Sequence, residues 1–466
     1  MWQPLPIIGE AYADEAKPWS DQDAMNWIPV QAERPGTRSQ WKYVSPPGLV
    51  EYSDLGTNAP VRGTHDVEGQ LLAVSGNTLY NVAPDGTATG LGTIPGVGRV
   101  QIAHNQVTNG YEVLVANGQS GYVYDTRDGT VEQISDAGFP GLKTVDFIDG
   151  YLAGVEPQGR FWAHSELNQA AEWNTIDRYD ALAAPDKMVG SLNIKRDFLV
   201  MGERSGQFYA NTGASAGTFQ NRNGTEMDVG CAAAATMVRL DNSVFWLGSD
   251  GLVYQLNGYS PQIISTGPIA QAISRSNIAN AFAFKWEDRG HKVYYLTLTD
   301  GQTFGYDVWT QRWHRRASFG LDRWRLNTMT RSRAQWIGGD FTNGKLYRLD
   351  WDVMTEAGDP LVSRCRGPVV HAEGNHIVVA GLKLVFDVGR VPAGVTDHFC
   401  SIRYSDDGGH NYEDARVVSI GAAGQYQTTV EERRWGRTEQ RTWEIEVSSP
   451  GKRDLLAASW LPEVTR

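Results

Sequence analysis

A glycine-bearing turn followed by a short strand ending in an aromatic recurs seven times along this chain. The turns carry Gly76, Gly121, Gly159, Gly206, Gly251, Gly301 and Gly344, and the aromatics are Tyr80, Tyr124, Trp162, Tyr209, Tyr254, Tyr306 and Tyr347. Successive aromatics stand about 38 to 52 residues apart, roughly 44 on average, which is the length of one propeller blade. An apolar run such as Leu71–Val74, Val113–Val115, Phe198–Met201, Val244–Leu247 or Val293–Leu296 comes first in each unit. A single hairpin of this kind cannot bury its faces, whereas a closed ring of them can. A β-sandwich with hairpins of similar length is the competing architecture, and the regular spacing favours the propeller.

The expected fold is therefore all-β: a propeller of about seven blades, with six as the alternative count, followed by a C-terminal β-sandwich. Three segments are expected. Residues 1–45 hold Trp2, Trp19, Trp27 and Trp41 among prolines and charges without periodicity, so they read as an irregular arm. So many large apolar rings do not float free, and the arm is expected to lie across the main domain or a neighbouring subunit. Residues 46–351 form the propeller. The last repeat, Arg325 to Asp350, supplies only about three strands of its own, and Gly48–Tyr52 is placed to complete it and close the ring. One helix is expected from Pro268 to about Ala283, with Pro268 in its first turn and Ile269 and Ile273 sharing a face. Residues 352–466 alternate in the sandwich manner, with strands at about His376–Val388, Phe399–Tyr404, Gln425–Val430 and Thr442–Val447.

Chemistry is sparse. The 466-residue chain carries a formal charge of −12, which argues against a protein built to grip nucleic acid. Cys231, Cys365 and Cys400 offer neither a paired framework nor metal-ligand spacing and read as small buried side chains. No apolar run is long enough for a membrane span, and Ile7 and Ile8 are followed at once by Gly9 and Glu10, so no secretory signal is expected. His371 and His376 lack the one-turn spacing of a zinc helix, and Gly90–Gly98 lacks the Lys-Ser/Thr ending of a phosphate loop. No catalytic residue, metal or cofactor is expected. Ser405-Asp406-Asp407-Gly408-Gly409-His410-Asn411-Tyr412 resembles the Asp-box of sialidases, with Tyr412 in place of Trp. In that motif the Asp folds back on hairpin amides, so Ser405, Asp407, Gly409 and Tyr412 are read as a structural turn. Candidate interface residues are Trp19 and Trp27 in the arm, and Arg433, Arg434 and Arg437 in the basic run of the sandwich.

Several stretches together resemble one family, the tail-hub or nozzle proteins of short-tailed bacteriophages, also called packaged-DNA stabilization proteins. The likeness runs through Gly290-His291-Lys292-Val293-Tyr294-Tyr295-Leu296-Thr297, Arg312-Trp313-His314-Arg315-Arg316-Ala317-Ser318 and Asn343-Gly344-Lys345-Leu346-Tyr347-Arg348-Leu349-Asp350. It continues through Ile402-Arg403-Tyr404-Ser405-Asp406-Asp407 and Arg434-Trp435-Gly436-Arg437. The arm matches more loosely, through Asn26-Trp27-Ile28-Pro29-Val30 and Pro46-Pro47-Gly48-Leu49. The resemblance implies a virion protein of the phage tail, made in the host cytoplasm, rather than an enzyme. It implies a homohexameric ring below the portal and its head-to-tail adaptor protein, closing the DNA exit channel and docking tailspikes, fibres or a needle. DNA would pass without sequence-specific binding, and no membrane insertion is implied. The runner-up from another class is a glycan-acting propeller, either a sialidase-like hydrolase or a receptor-binding lectin. That reading requires three arginines and a tyrosine to converge at one end of the propeller axis.

Overall fold

The computed structural model describes residues 1–180, 185–215, 217–389, 392, 395, 397–422 and 424–465. Between Gly48 and Asp350, seven four-stranded antiparallel meanders follow one another. Their innermost strands are Val61–Val67, Gln101–Val107, Asp146–Ile148, Met188–Ile194, Val238–Leu240, Phe282–Asp288 and Leu326–Ser332. Apolar residues of adjacent meanders meet in separate clusters. Leu72, Val74, Val113 and Val115 join blades one and two, and Trp162, Met188, Phe198 and Tyr209 join three and four. Leu71, Ala73, Ile337 and Leu346 join blade seven back to blade one, so the ring is closed.

Each repeat aromatic lies on the third strand of its blade, opposite the apolar second strand. Tyr124 faces Val113, Tyr209 faces Phe198, Tyr254 faces Trp246 and Tyr306 faces Tyr294. These pairs place a large ring on a pleated surface, where cross-strand contacts contribute most. Six of the seven aromatics are buried and Tyr80 is half-buried.

Blade seven has only three strands from its own stretch, and Gly48–Asp54 supplies the fourth by pairing antiparallel with Lys345–Asp350. Chain ends distant in sequence thereby close the ring, and no cut in the circle is left as a free sheet edge. Gly48 is required at this closure: a Cβ there would run into the backbone carbonyls of Val353 and Thr355.

Two of the expectations are corrected. The arm is not irregular; it contains the short strands Asp21–Met25, Ile28–Gln31 and Trp41–Val44. Ile28–Gln31 and Trp41–Val44 pair with each other, but the strands that anchor the arm, at Arg315, Arg364–Arg366 and Leu455, lie more than 250 residues away, so no local alternation announces it. The helix spans only Gly267–Ser274, because Asn277 caps a separate 3-10 turn at Ile278–Asn280 and Phe282 already begins blade six.

Beyond Asp350 the chain forms two packed sheets. One holds Ile28–Gln31, Trp41–Val44, Asp454–Thr465, His376–Asp387 and Thr428–Arg433. The other holds Ser363–Arg366, Gln440–Val447, Asp397–Ser405 and Arg416–Ala422, and it is continuous with the propeller. Asp21–Met25 lies between blade six and Ser363–Arg366, joined to the first by a parallel bridge from Met25 to Arg315 and to the second by antiparallel pairs. One eleven-stranded sheet therefore runs from blade six through the arm to the far edge of the sandwich.

Candidate functional site

The arm strand Asp21–Met25 presents Asp21 and Asp23 on one side, as alternate residues of a strand must. Arg315 grips Asp23 through two nitrogens, with Nε donating to Oδ1 at 2.8 Å. Burial alone would raise the Asp23 carboxyl, but Arg315 carries it below the usual carboxylate range. Asp21 sits 3.4 Å from Arg366, whose Nε donates to Glu444 at 2.8 Å, and Arg403 closes on the other oxygen of Glu444. For Asp21 burial wins, and its carboxyl is raised despite Arg366. Paired buried charges of this kind add little net stability, yet removing one partner strands the other. They therefore fix how arm, propeller and sandwich fit together.

The Asp-box-like turn is the second half of this seam. Ser405 donates to Asp407 at 2.6 Å, and the amides of His410 and Asn411 donate to the same carboxylate at 3.0 and 2.9 Å. The Asn411 amide above all, then the Ser405 hydroxyl, holds Asp407 far below the ordinary carboxylate range. Gly409 has φ of +91°, and a Cβ there would strike the Asp21 carboxylate. Tyr412 donates to Asp21 at 2.7 Å, and Lys17 donates to the Gly409 carbonyl at 3.2 Å. The turn is thus a socket for the arm, and its Asp407 carboxylate is held by the turn's own amides and the Ser405 hydroxyl.

The candidate interface residues separate cleanly. Trp27 has no exposed surface; it stacks on Tyr43 at 5.4 Å, and its Nε1 donates to the Arg453 carbonyl at 3.1 Å. It is a core residue, which corrects its placement at an interface. Trp19 is 65% exposed and leans on Tyr12. Arg433, Arg434 and Arg437 are all exposed. Arg433 pairs with Glu431, while Arg434 and Arg437 have no acidic partner among the described residues. The turn that bears them is rigid, because Trp435 is buried against Trp443 and Arg416 donates to the Arg433 and Arg434 carbonyls, at 2.9 Å each.

At the end of the propeller axis where the inner strands begin, arginines do gather. Arg99 lies 3.4 Å from the Phe282 ring centre, and Arg323 lies 5.2 Å from it. Burial, reinforced by Arg323, pulls Arg99 down to about 9. Arg99 donates to the Asn327 carbonyl at 2.8 Å, and Arg62 donates to the carbonyls of Gly98, Gly76 and Ile94. These guanidiniums are committed to protein oxygens and a phenyl ring, so they do not form an open carboxylate clamp. Among the described residues there is no group of three or more His, Cys, Asp or Glu that could hold a metal. The three cysteines are buried free thiols.

Sequence reasoning missed the charge ladder of Asp21, Asp23, Arg315, Arg366 and Glu444. Its only local trace is alternation, Asp21 and Asp23 on one strand and Arg364 and Arg366 on another.

A propeller continuous with a sandwich, tied by its own N-terminal segment, defines a two-domain β scaffold. Two family models cover it: "Bacteriophage P22 Gp10, beta-propeller" over residues 3–354, and "Bacteriophage P22 Gp10, beta-sandwich" over residues 363–459. The chain belongs to the bacteriophage P22 Gp10 family of phage stabilisation proteins. No curated protein sequence matches it. Similar solved structures include the computationally designed Ika8 protein, 11% identical, covering 64% of this chain and 99% of that one with a TM-score of 0.39. Another is virginiamycin B lyase from Staphylococcus aureus, 9% identical, covering 65% of this chain and 98% of that one with a TM-score of 0.47. Overlaps this loose carry no functional argument.

Proposed function

We propose that the chain is a non-enzymatic tail hub, or nozzle, that assembles as a homohexameric ring below the portal and its adaptor protein, retains packaged DNA and docks distal tail parts. The observation that carries this reading is the single sheet running from blade six through Asp21–Met25 into the sandwich. It makes two domains one stiff body, and a ring of heterologous contacts closes only if each subunit holds its angle. Family membership supplies the phage context. In this reading the DNA passage runs down the middle of the ring, between subunits.

The test is a phage deleted for this chain. Its particles are expected to package DNA and then lose it, and cryo-electron microscopy of wild-type tails is expected to show six copies in a ring. Full-length DNA retained in the deletion particles would overturn the reading. So would turnover of a fluorogenic sialoside by the purified chain, abolished by a tyrosine substitution.

A further inference from the structure

The charge of this chain is unevenly placed. Residues 55–180, which contain blades one to three, hold 15 acidic and 6 basic residues, so most of the −12 sits there. Two of those six basic side chains, Arg62 and Arg99, are turned inward onto carbonyls and Phe282. On the outer strands and turns of blades two and three, Asp128, Glu132, Glu172 and Asp180 are exposed. Glu132 lies on the outermost strand of blade two, Val131–Gln133, and Glu172 on that of blade three, Gln169–Asp180.

The position of this rim follows from the blade count. The sandwich is attached at blade six, and in a closed ring of seven the point opposite blade six lies between blades two and three. At the other pole, the eleven-stranded sheet that starts in blade six ends on Arg416–Ala422. Arg416 on that last strand holds the carbonyls of Arg433 and Arg434, so the arginine turn sits on the edge remote from the propeller. Arg434 itself has φ of +64°, a conformation fixed by those bonds and by its own amide, which donates to the Ala380 carbonyl at 3.1 Å. A rigid turn with two unpaired arginines stands at one end of the molecule, and an acidic rim stands at the opposite end.

We infer that the arginine turn of one copy docks on the acidic outer rim of blades two and three of the next copy, head to tail around the ring. The inference rests on the ring reading above and names its contact. DNA is the other anion that such a turn could meet. A handful of arginines on a chain of charge −12 is a weak phosphate grip, whereas a complementary rim lies on every copy.

The experiment complements the deletion phage with variants and counts chains per purified particle by quantitative mass spectrometry. Each variant is first matched to wild type by thermal melt. Arg434→Glu with Arg437→Glu is expected to lower incorporation at least about ten-fold, and so is Glu132→Arg with Glu172→Arg. All four substitutions in one chain reverse both sides of every contact and are expected to restore incorporation. Wild-type loading by the arginine variant would overturn the docking. Failure of the four-fold variant to recover would also overturn it, assigning the turn to DNA or another tail protein. Wild-type particles without a ring of this chain would instead overturn the ring reading itself.

Discussion

Replacing Trp27 by alanine separates a core residue from a contact residue. The indole has no exposed surface, stacks on Tyr43 and donates to the carbonyl of Arg453, whose own guanidinium is bonded to the carbonyls of Leu361, Val447 and Met354. Truncating a buried Trp costs about 3–5 kcal/mol, because transfer free energy and the residual cavity both count against the variant. At about 4 kcal/mol, and roughly 2–4 °C per kcal/mol for a cooperative unit of this size, the melting midpoint falls by about 8–16 °C. Trp27→Phe, which keeps the stack on Tyr43 and loses the Nε1 bond, is expected to fall between alanine and wild type. Differential scanning calorimetry of the purified chain measures both. An alanine variant that melts within about 1 °C of wild type while failing to enter particles would refute the reasoning and return Trp27 to an interface.

The closure of the propeller is tested by Gly48→Ala, which drives a methyl group into the carbonyls of Val353 and Thr355. Amides of Lys345–Asp350 are expected to exchange hydrogen faster than in wild type, while those of blade three keep their protection. The His314 imidazole is fully enclosed and is pushed down to about 3, chiefly by burial. The unfolded chain takes up a proton near pH 6.5 that the native site refuses, so this group's stability is intact above 6.5 and declines as pH falls toward 3. Its slope reaches at most about 1.4 kcal/mol per pH unit. His314→Gln should therefore narrow its stability gap to wild type between pH 7 and pH 5 in urea titrations; an unchanged gap contradicts the assignment. Asp407, whose folded carboxyl is depressed, acts in the opposite sense: its contribution is present above the unfolded value of 3.8 and is lost as pH falls through the lower folded value. Carbon-detected NMR should find it still ionised at pH 3.

The repeating part of the fold was legible because each blade repeats a local pattern. Gly76 to Tyr80 and Gly251 to Tyr254 announce a turn and a third strand without knowledge of any neighbour, and the three-stranded last repeat announced its missing partner at Gly48. The Asp-box-like turn was legible for the same reason, since Ser405, Asp407 and the amides they hold lie within seven residues. Trp27 was misread because its surroundings are Tyr43, Arg453 and the sandwich core, none of which its own neighbourhood specifies. The arm strands were invisible for a related reason. Strand alternation needs a run of several residues, and Asp21–Met25 owes its conformation to Arg315 on one side and Arg364–Arg366 on the other. The residues of the seam are polar, short in run and paired across the whole length of the chain.

The arm also sets a timetable for synthesis. Residues 3 and 4 pair with Trp460 and Ser459, Asp21–Met25 needs Arg364–Arg366, and Gly48–Asp54 waits for Lys345–Asp350. A chain leaving the ribosome has its first strands in hand long before their partners exist. Six blades can settle in turn, but the seventh waits for Lys345–Asp350, and the seam and the sandwich wait for strands that come later still. Contacts of such long range make folding slow. They also mean that a product terminated before Ser363 lacks both the continuous sheet and the arginine turn, so it cannot take a place meant for a finished subunit.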